Sequence, residues 1–231
     1  MTDPLAALRP WVRSEHLASV DASSGQHEGQ ACRSVDGFLV ARLAEDLADF
    51  LTNGAIMERS YRLYSDLDPV PPDRWMAARD TDRFANVTTV VGMGDDPLSA
   101  GAVSYVRLLQ MLRSGAFRAF LERISRTDLE PIHELTTWCM TADDFVRPHR
   151  YDPASCGIRV SLCLSMGRDP ELGGAWCVLD GQERLTRVPF RQNALLVMDA
   201  SAGATYWVAP IRDTVRGIAR FTVSACFARA R

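Results

Sequence analysis

The sequence contains no lysine; all 26 of its positive residues are arginine. Schiff-base chemistry and lysine general-base chemistry are therefore excluded. None of the six cysteines (Cys32, Cys139, Cys156, Cys163, Cys177 and Cys226) falls in a C-x-x-C pair, which argues against a zinc ribbon or a redox dithiol. Cys163, Cys177 and Cys226 lie in apolar runs and read as small buried side chains. Histidine is scarce: His16, His27, His133 and His149 are the full set. No apolar run reaches the roughly 18 residues of a membrane span. The opening stretch, MTDPLAALRPWVRSEH, lacks the basic-then-apolar layout of a secretory signal. A cytoplasmic protein without a membrane partner is expected. The net charge of -3 gives no basic field to draw nucleic acid.

What is present is patterned. Residues 2–12 suit a short helix with Pro4 near its first turn, and residues 19–34 read as a polar connector. His16 and His27 lie in or beside that connector and read as exposed. From Asp36, the residues Leu39, Leu43, Leu47 and Leu51 recur every fourth position and predict a helix, ended by Asn53-Gly54. Ile56–Tyr64 reads as a strand. Residues 65–99, with Pro69, Pro71, Pro72 and Pro97, read as a long surface connection holding one strand at Val87–Val91, and as a candidate lid. Two helical stripes follow, interrupted at Gly115.

From Ile132 the period becomes two. Ile158, Val160, Leu162, Leu164 and Met166 alternate with Arg159, Ser161, Cys163 and Ser165. Phe221, Val223, Ala225 and Phe227 alternate with Arg220, Thr222, Ser224 and Cys226. Strands with one apolar and one polar row suit a barrel that holds a ligand. Helices first and strands afterwards predict helices packed on an antiparallel sheet, an α+β, mainly β class. His149, just before the first of these strands and close to Asp152, is the candidate reactive histidine.

From about Val35 onward the chain resembles the 2-oxoglutarate and iron(II)-dependent oxygenases, in particular their prolyl-4-hydroxylase-like branch. The resemblance rests on VDGFLVARLAEDLADFL, ADDFVRPH, RVSLCLSM with GGAWCVLD, VPFRQNALLVMD and RFTVSACF. It implies a double-stranded β-helix (a jelly roll, cupin-like) with helices on one face. An N-terminal extension would occupy residues 1–34. A single domain would occupy 35–231, with helical support at 36–53 and 102–126 and a barrel core at 132–228. It also implies Fe(II) and 2-oxoglutarate as cofactors, with iron held by two histidines and a carboxylate.

This chain departs from that pattern. His149 matches the first metal ligand, but the H-x-D carboxylate position holds Tyr151, and Asp152 comes one residue late. Such a slip reverses the face of a side chain on a strand. The family's H-x-V-x-P appears as Tyr206-Trp207-Val208-Ala209-Pro210, so Tyr206 replaces the distal histidine. His133 is the other imidazole that could be recruited. Arg220 and Thr222 match the residues that grip the far carboxylate of 2-oxoglutarate; the competing reading pairs Arg220 with Asp199 or Asp213. Three functions follow. The first is an oxygenase with an altered metal shell (His149 and Asp152, with Tyr206 or water). The second is a metal-independent enzyme, without cofactor, using His149, Tyr151, Asp152 and Tyr206 as proton carriers for cyclisation, isomerisation or elimination in a biosynthetic pathway. The third is a non-catalytic binding protein. The expected partner is a small molecule, with an anion favoured by an arginine inside the barrel. The sequence leaves the oligomeric state open.

Overall fold

Alternation gives the two faces of one strand different surroundings, and here it organises the whole molecule. The computed structural model describes residues 3–22, 32–94, 96–142, 144–152, 154–165, 173–200, 203–211 and 219–230. Strands β7 (Ile158–Ser165) and β12 (Arg220–Arg229) run antiparallel, with Arg220 opposite Ser165, Thr222 opposite Cys163, Ser224 opposite Ser161 and Cys226 opposite Arg159. This polar row faces the barrel interior, while Ile158, Val160, Leu162, Leu164, Phe221, Val223, Ala225 and Phe227 pack towards the helices. Met166 and His27 lie outside the described residues.

Strand β5 (Leu129–Met140) flanks β12 on its other side, β10 (Ala194–Asp199) flanks β7, and β1 (Cys32–Val35) flanks β10. A smaller layer is formed by β6 (Phe145–His149), β11 (Thr205–Val208), β8 (Trp176–Leu179) and β9 (Leu185–Val188). Strand β4 (Arg83–Met93) joins the layers, pairing with β5 at Thr88 and Thr89 and with β6 at Ala85 and Asn86. Beyond β4 lie β2 (Ala55–Leu63) and β3 (Asp66–Val70). Every strand pairing among the described residues is antiparallel. The fold is a double-stranded β-helix.

The helices cover the outer face of the larger layer. A 3-10 turn (Pro4–Leu8), α2 (Ala41–Asn53), α4 (Ala100–Arg113) and α5 (Gly115–Ser125) bury Leu8, Leu47, Leu51, Leu108, Phe117 and Phe120 against it. Gly115 does mark the break. Ser114 leaves the helical conformation, and its hydroxyl accepts the Phe117 amide at 3.1 Å to cap α5. A second core lies inside the barrel and contains Trp138, Met140, Trp176, Val178, Phe190, Met198 and Tyr206.

Four local expectations differ from the structure. The Leu39 stripe does not start a helix. Gly37 turns with φ +64, Leu39 bridges to Val12, and α2 begins only at Ala41. Part of the expected connector is ordered structure: α1 (Ser14–Ala22) and β1 both fall within or overlap it. Residues 65–99 contain β3, a short helix α3 (Pro72–Ala77) and the eleven-residue β4, which is integral to the sheet. Their prolines fall at strand ends, turns and a helix start, positions that need no ladder N–H. Finally, Cys226 is not a lone apolar residue but forms a disulfide with Cys156, its Cα 5.1 Å away. The turn before β7 returns to the last strand, with the Gly157 amide donating to the Phe227 carbonyl at 2.8 Å. The other four cysteines are free and buried.

Asn193 fastens the N-terminal segment to the barrel. Its side chain accepts from the Leu39 amide and donates to the Leu39 carbonyl, both at 2.8 Å, from a buried position with φ +57. Asn193→Ala leaves both groups of Leu39 without partners and is expected to destabilise the fold by about 2–3 kcal/mol. Urea denaturation measures this; a loss under about 0.5 kcal/mol would contradict the assigned role.

Candidate functional site at the barrel mouth

The register of the smaller layer brings the site together. His149, the last residue of β6, lies opposite Tyr206 on β11, and Tyr206 lies opposite Val178 on β8. The chain then leaves the sheet. The Asp152 carboxylate accepts the Ala154 amide at 3.0 Å, and its backbone carbonyl accepts those of Ser155 and Cys156. This turn carries the chain across the mouth and directs its side chains in opposite senses. Tyr151 packs inward against the barrel core, whereas Asp152 is exposed.

The result is an aromatic cluster. The His149 ring meets Phe84 edge-on with centroids 4.8 Å apart and Tyr151 with centroids 4.7 Å apart; Tyr151 lies 5.4 Å from Tyr206. Arg159, from the polar row of β7, closes the group. Its guanidinium carbon lies 4.8 Å from the Tyr151 ring centroid and 5.4 Å from that of Trp138. The side chain is only 2% exposed. Nη1 donates to Cys226 Sγ at 3.2 Å and lies 3.8 Å from a Glu134 carboxylate oxygen. Nε and Nη2 of Arg159 and Oη of Tyr151 are buried with no hydrogen-bond partner. Such groups are expensive to bury unmatched and mark a place for a ligand or water.

The titration behaviour follows from this packing. Burial lowers the His149 pKa to about 4, helped by the positive charges of Arg159 and Arg62 and opposed by the carbonyls of Arg147 and Tyr206. Its Nδ1 lies 3.0 Å from the Arg147 carbonyl, which can only accept, so Nδ1 carries the proton of the neutral ring and Nε2 the lone pair. Burial raises the pKa of Tyr151, against the pull of Arg159. Burial also raises that of Tyr206, reinforced by Asp199. The Tyr206 hydroxyl donates to the Asp199 carbonyl, which further commits its proton.

These residues do not fit an Fe(II) centre. Tyr206, which the resemblance aligns with the distal imidazole, is protonated and already bonded to the Asp199 carbonyl. Asp152 lies outside the cluster, His133 is exposed on β5, and His16 on α1 contacts the Gly37 carbonyl. Among the described residues no three His, Cys, Asp or Glu side chains are grouped to hold a metal ion.

At the other end of the barrel, Arg220 is buried with its guanidinium carbon 4.6 Å from the Phe190 ring centroid, beside Thr222, Trp138 and Trp176. A Cβ at Gly174 would collide with that guanidinium, so only glycine permits this approach. Asp199, one of the expected partners, belongs to the opposite end of the sheet and holds Arg229 at 2.9 and 3.0 Å. Asp213 is outside the described residues. The cavity at Arg220 is about 10 Å³, no more than the space a single water needs. The arginine expected for 2-oxoglutarate is inside the barrel, but with this conformation there is no room for that molecule.

Arg159 and Trp138 are the site residues missed by sequence reasoning. The signal for Arg159 was available, since the alternation of β7 puts it in the same inward row as Ser161 and Cys163. Nothing in the sequence pointed to its stacking on Tyr151.

No protein-family profile matches the chain, and no curated protein does. Solved structures do share its fold. A prolyl-4-hydroxylase from Pseudomonas putida superposes with a TM-score of 0.56 at 18% identity, covering 94% of this chain and all of that one. A Trichoplax adhaerens prolyl hydroxylase, solved with a hypoxia-inducible-factor peptide fragment, gives 0.63 at 9% identity, covering 94% and 93%. SnoN, a non-heme α-ketoglutarate-dependent epimerase from nogalamycin biosynthesis, gives 0.56 at 13% identity, covering 92% and 81%. The chain therefore has the fold of the 2-oxoglutarate, iron(II) oxygenases.

The depressed pKa of His149 makes a pH prediction. Between about 4 and its ordinary value near 6.5 the unfolded chain binds a proton that the folded chain refuses. This contribution to stability is complete above pH 6.5 and is lost as pH falls towards 4. The NMR signal of His149 should not titrate between pH 5.5 and 8, and His149→Phe should flatten the acid limb of the stability curve. A titration midpoint near 6.5 would contradict this environment.

Proposed function

We propose that this protein is a metal-independent enzyme on an oxygenase fold, using acid–base chemistry on a small anionic molecule at the barrel mouth. The observation that carries this reading is the buried pair of unmatched groups, Arg159 Nε/Nη2 and Tyr151 Oη, beside a neutral histidine. A carboxylate or similar oxyanion on Arg159 would satisfy the guanidinium with charge-assisted bonds. It would also offset the positive charge that helps to hold the His149 pKa down, making the imidazole a stronger base in the complex. His149 Nε2 then accepts a proton from the bound molecule. Tyr151, held protonated by burial, donates one to the oxygen where negative charge develops. The net change moves protons without an external oxidant, which suits an isomerisation, a cyclisation or an elimination.

An oxygenase with Tyr206 as a metal ligand has less support, because the Tyr206 proton is committed to the Asp199 carbonyl. Its role here is to position the wall against which Tyr151 stacks. The fold comparisons support an enzyme ancestry, and they bring no substrate with them. A site inside the cell and a biosynthetic setting are part of the proposal.

The test is turnover of a small-molecule extract by the full chain in EDTA without oxygen, followed by mass spectrometry. The expected product is an isomer or a dehydrated form of a consumed anion, with no succinate formed. Tyr151→Phe should slow its appearance by about a hundredfold or more. A product that requires oxygen and added iron, with succinate released, would overturn the reading.

A further inference from the structure

A second cavity lies away from the mouth cluster, where the barrel wall opens. Strand β5 pairs with β4 at Thr88 and Thr89 and no further, whereas β4 continues along β2 as far as Met93 opposite Ala55. The strands part beyond this point, and α4 crosses the gap. The crevice between them has a volume of about 350 Å³. Both charged side chains in its lining are positive: Arg62 on β2, and Arg113 in the last turn of α4. Neither forms an ion pair with an acid among the described residues. Ser60 Oγ, on a residue only 6% exposed, lines the crevice with no hydrogen-bond partner. Tyr105 and Thr137 deeper in the wall satisfy each other at 2.7 Å. Val90 and Leu109 supply apolar surface.

Two guanidiniums and an unmatched hydroxyl around one hollow make a site for an oxyanion. An acidic lining residue would be needed to neutralise it internally, and among the described residues the lining has none. We infer that this crevice binds an anionic ligand, a phosphate or carboxylate joined to a small apolar body, between Arg62 and Arg113. Arg62 also connects the crevice to the mouth. Its guanidinium carbon lies 6.0 Å from the centroid of the Trp138 ring, the ring that Arg159 approaches from 5.4 Å, and its charge is felt at His149 and Tyr151. The inference does not depend on the chemistry proposed for the mouth.

Calorimetric titration with phenyl phosphate and with phenylacetate tests it, using inorganic phosphate as the reference without an apolar body. One site is expected, tighter for one of the two aromatic probes than for inorganic phosphate; which probe wins identifies the anion. Arg113→Gln changes an exposed side chain and should weaken binding about tenfold or more with the melting temperature unchanged. Thr89→Glu places a carboxylate in the crevice wall and should abolish binding. Arg159→Met should change the affinity less than Arg113→Gln does, because Arg159 shares the Trp138 ring with Arg62 but does not line the crevice. Undiminished affinity in Arg113→Gln overturns the inference, as does loss confined to Arg159→Met, which would assign the probe to the mouth. Absence of saturable binding for either aromatic probe overturns it as well.

Discussion

A guanidinium buried in a barrel interior must be matched by something negative or polar, and this requirement governs how the structure can be understood. Two arginines occupy the inward row of neighbouring strands. Arg159 stands opposite Cys226 near the mouth, and Arg220 stands opposite Ser165 at the far end. The two levels are six residue steps apart along β12, about 20 Å of extended chain. Each guanidinium lies against an aromatic ring, Tyr151 for Arg159 and Phe190 for Arg220. Stacking offsets part of the desolvation cost, but it leaves the Nε and Nη2 donors of Arg159 unanswered. The anion proposed to dock there would answer these two donors, beside the Glu134 carboxylate that lies 3.8 Å from Nη1.

The same barrel shows why the metal chemistry associated with the fold is not supported by these side chains. The backbone still brings β6 and β11 together, so His149 and Tyr206 meet in register. By the resemblance in sequence, the phenol of Tyr206, bonded to a carbonyl, falls at the position of an imidazole ligand, and Tyr151 falls at that of the carboxylate. Around Arg220 the interior is lined by Trp138, Trp176 and Phe190. The fold rests on the two apolar cores and the strand ladder, in which Tyr206 serves as a packed core residue paired with His149.

Much of this was legible in the sequence. The alternation over 158–165 and 220–227 predicted which side chains face inward, and the register confirms that division. The helices after residue 100 and their interruption at Gly115 were readable from apolar spacing and a breaker. The start of α2 was not, because Leu39 continues the leucine stripe while a positive φ at Gly37 and a bridge to Val12 hold its backbone extended. Strand β4 was legible only at its centre, Val87–Val91; its full length, Arg83–Met93, and its place joining the layers depend on pairing with strands distant in sequence. The Cys156–Cys226 bond joins positions 70 residues apart, a connectivity that spacing cannot reveal. Arg159 was visible as an inward residue, but its stacking on Tyr151 depends on a turn whose direction no local pattern encodes.

The central claim is that the barrel mouth is an anion site without a metal shell. Anaerobic calorimetric titration of the protein with Fe(II), in the presence of 2-oxoglutarate, tests it most directly. The account predicts no stoichiometric binding and no change when His149 is replaced by alanine. One equivalent of iron bound at micromolar affinity, and lost in His149→Ala, would contradict it.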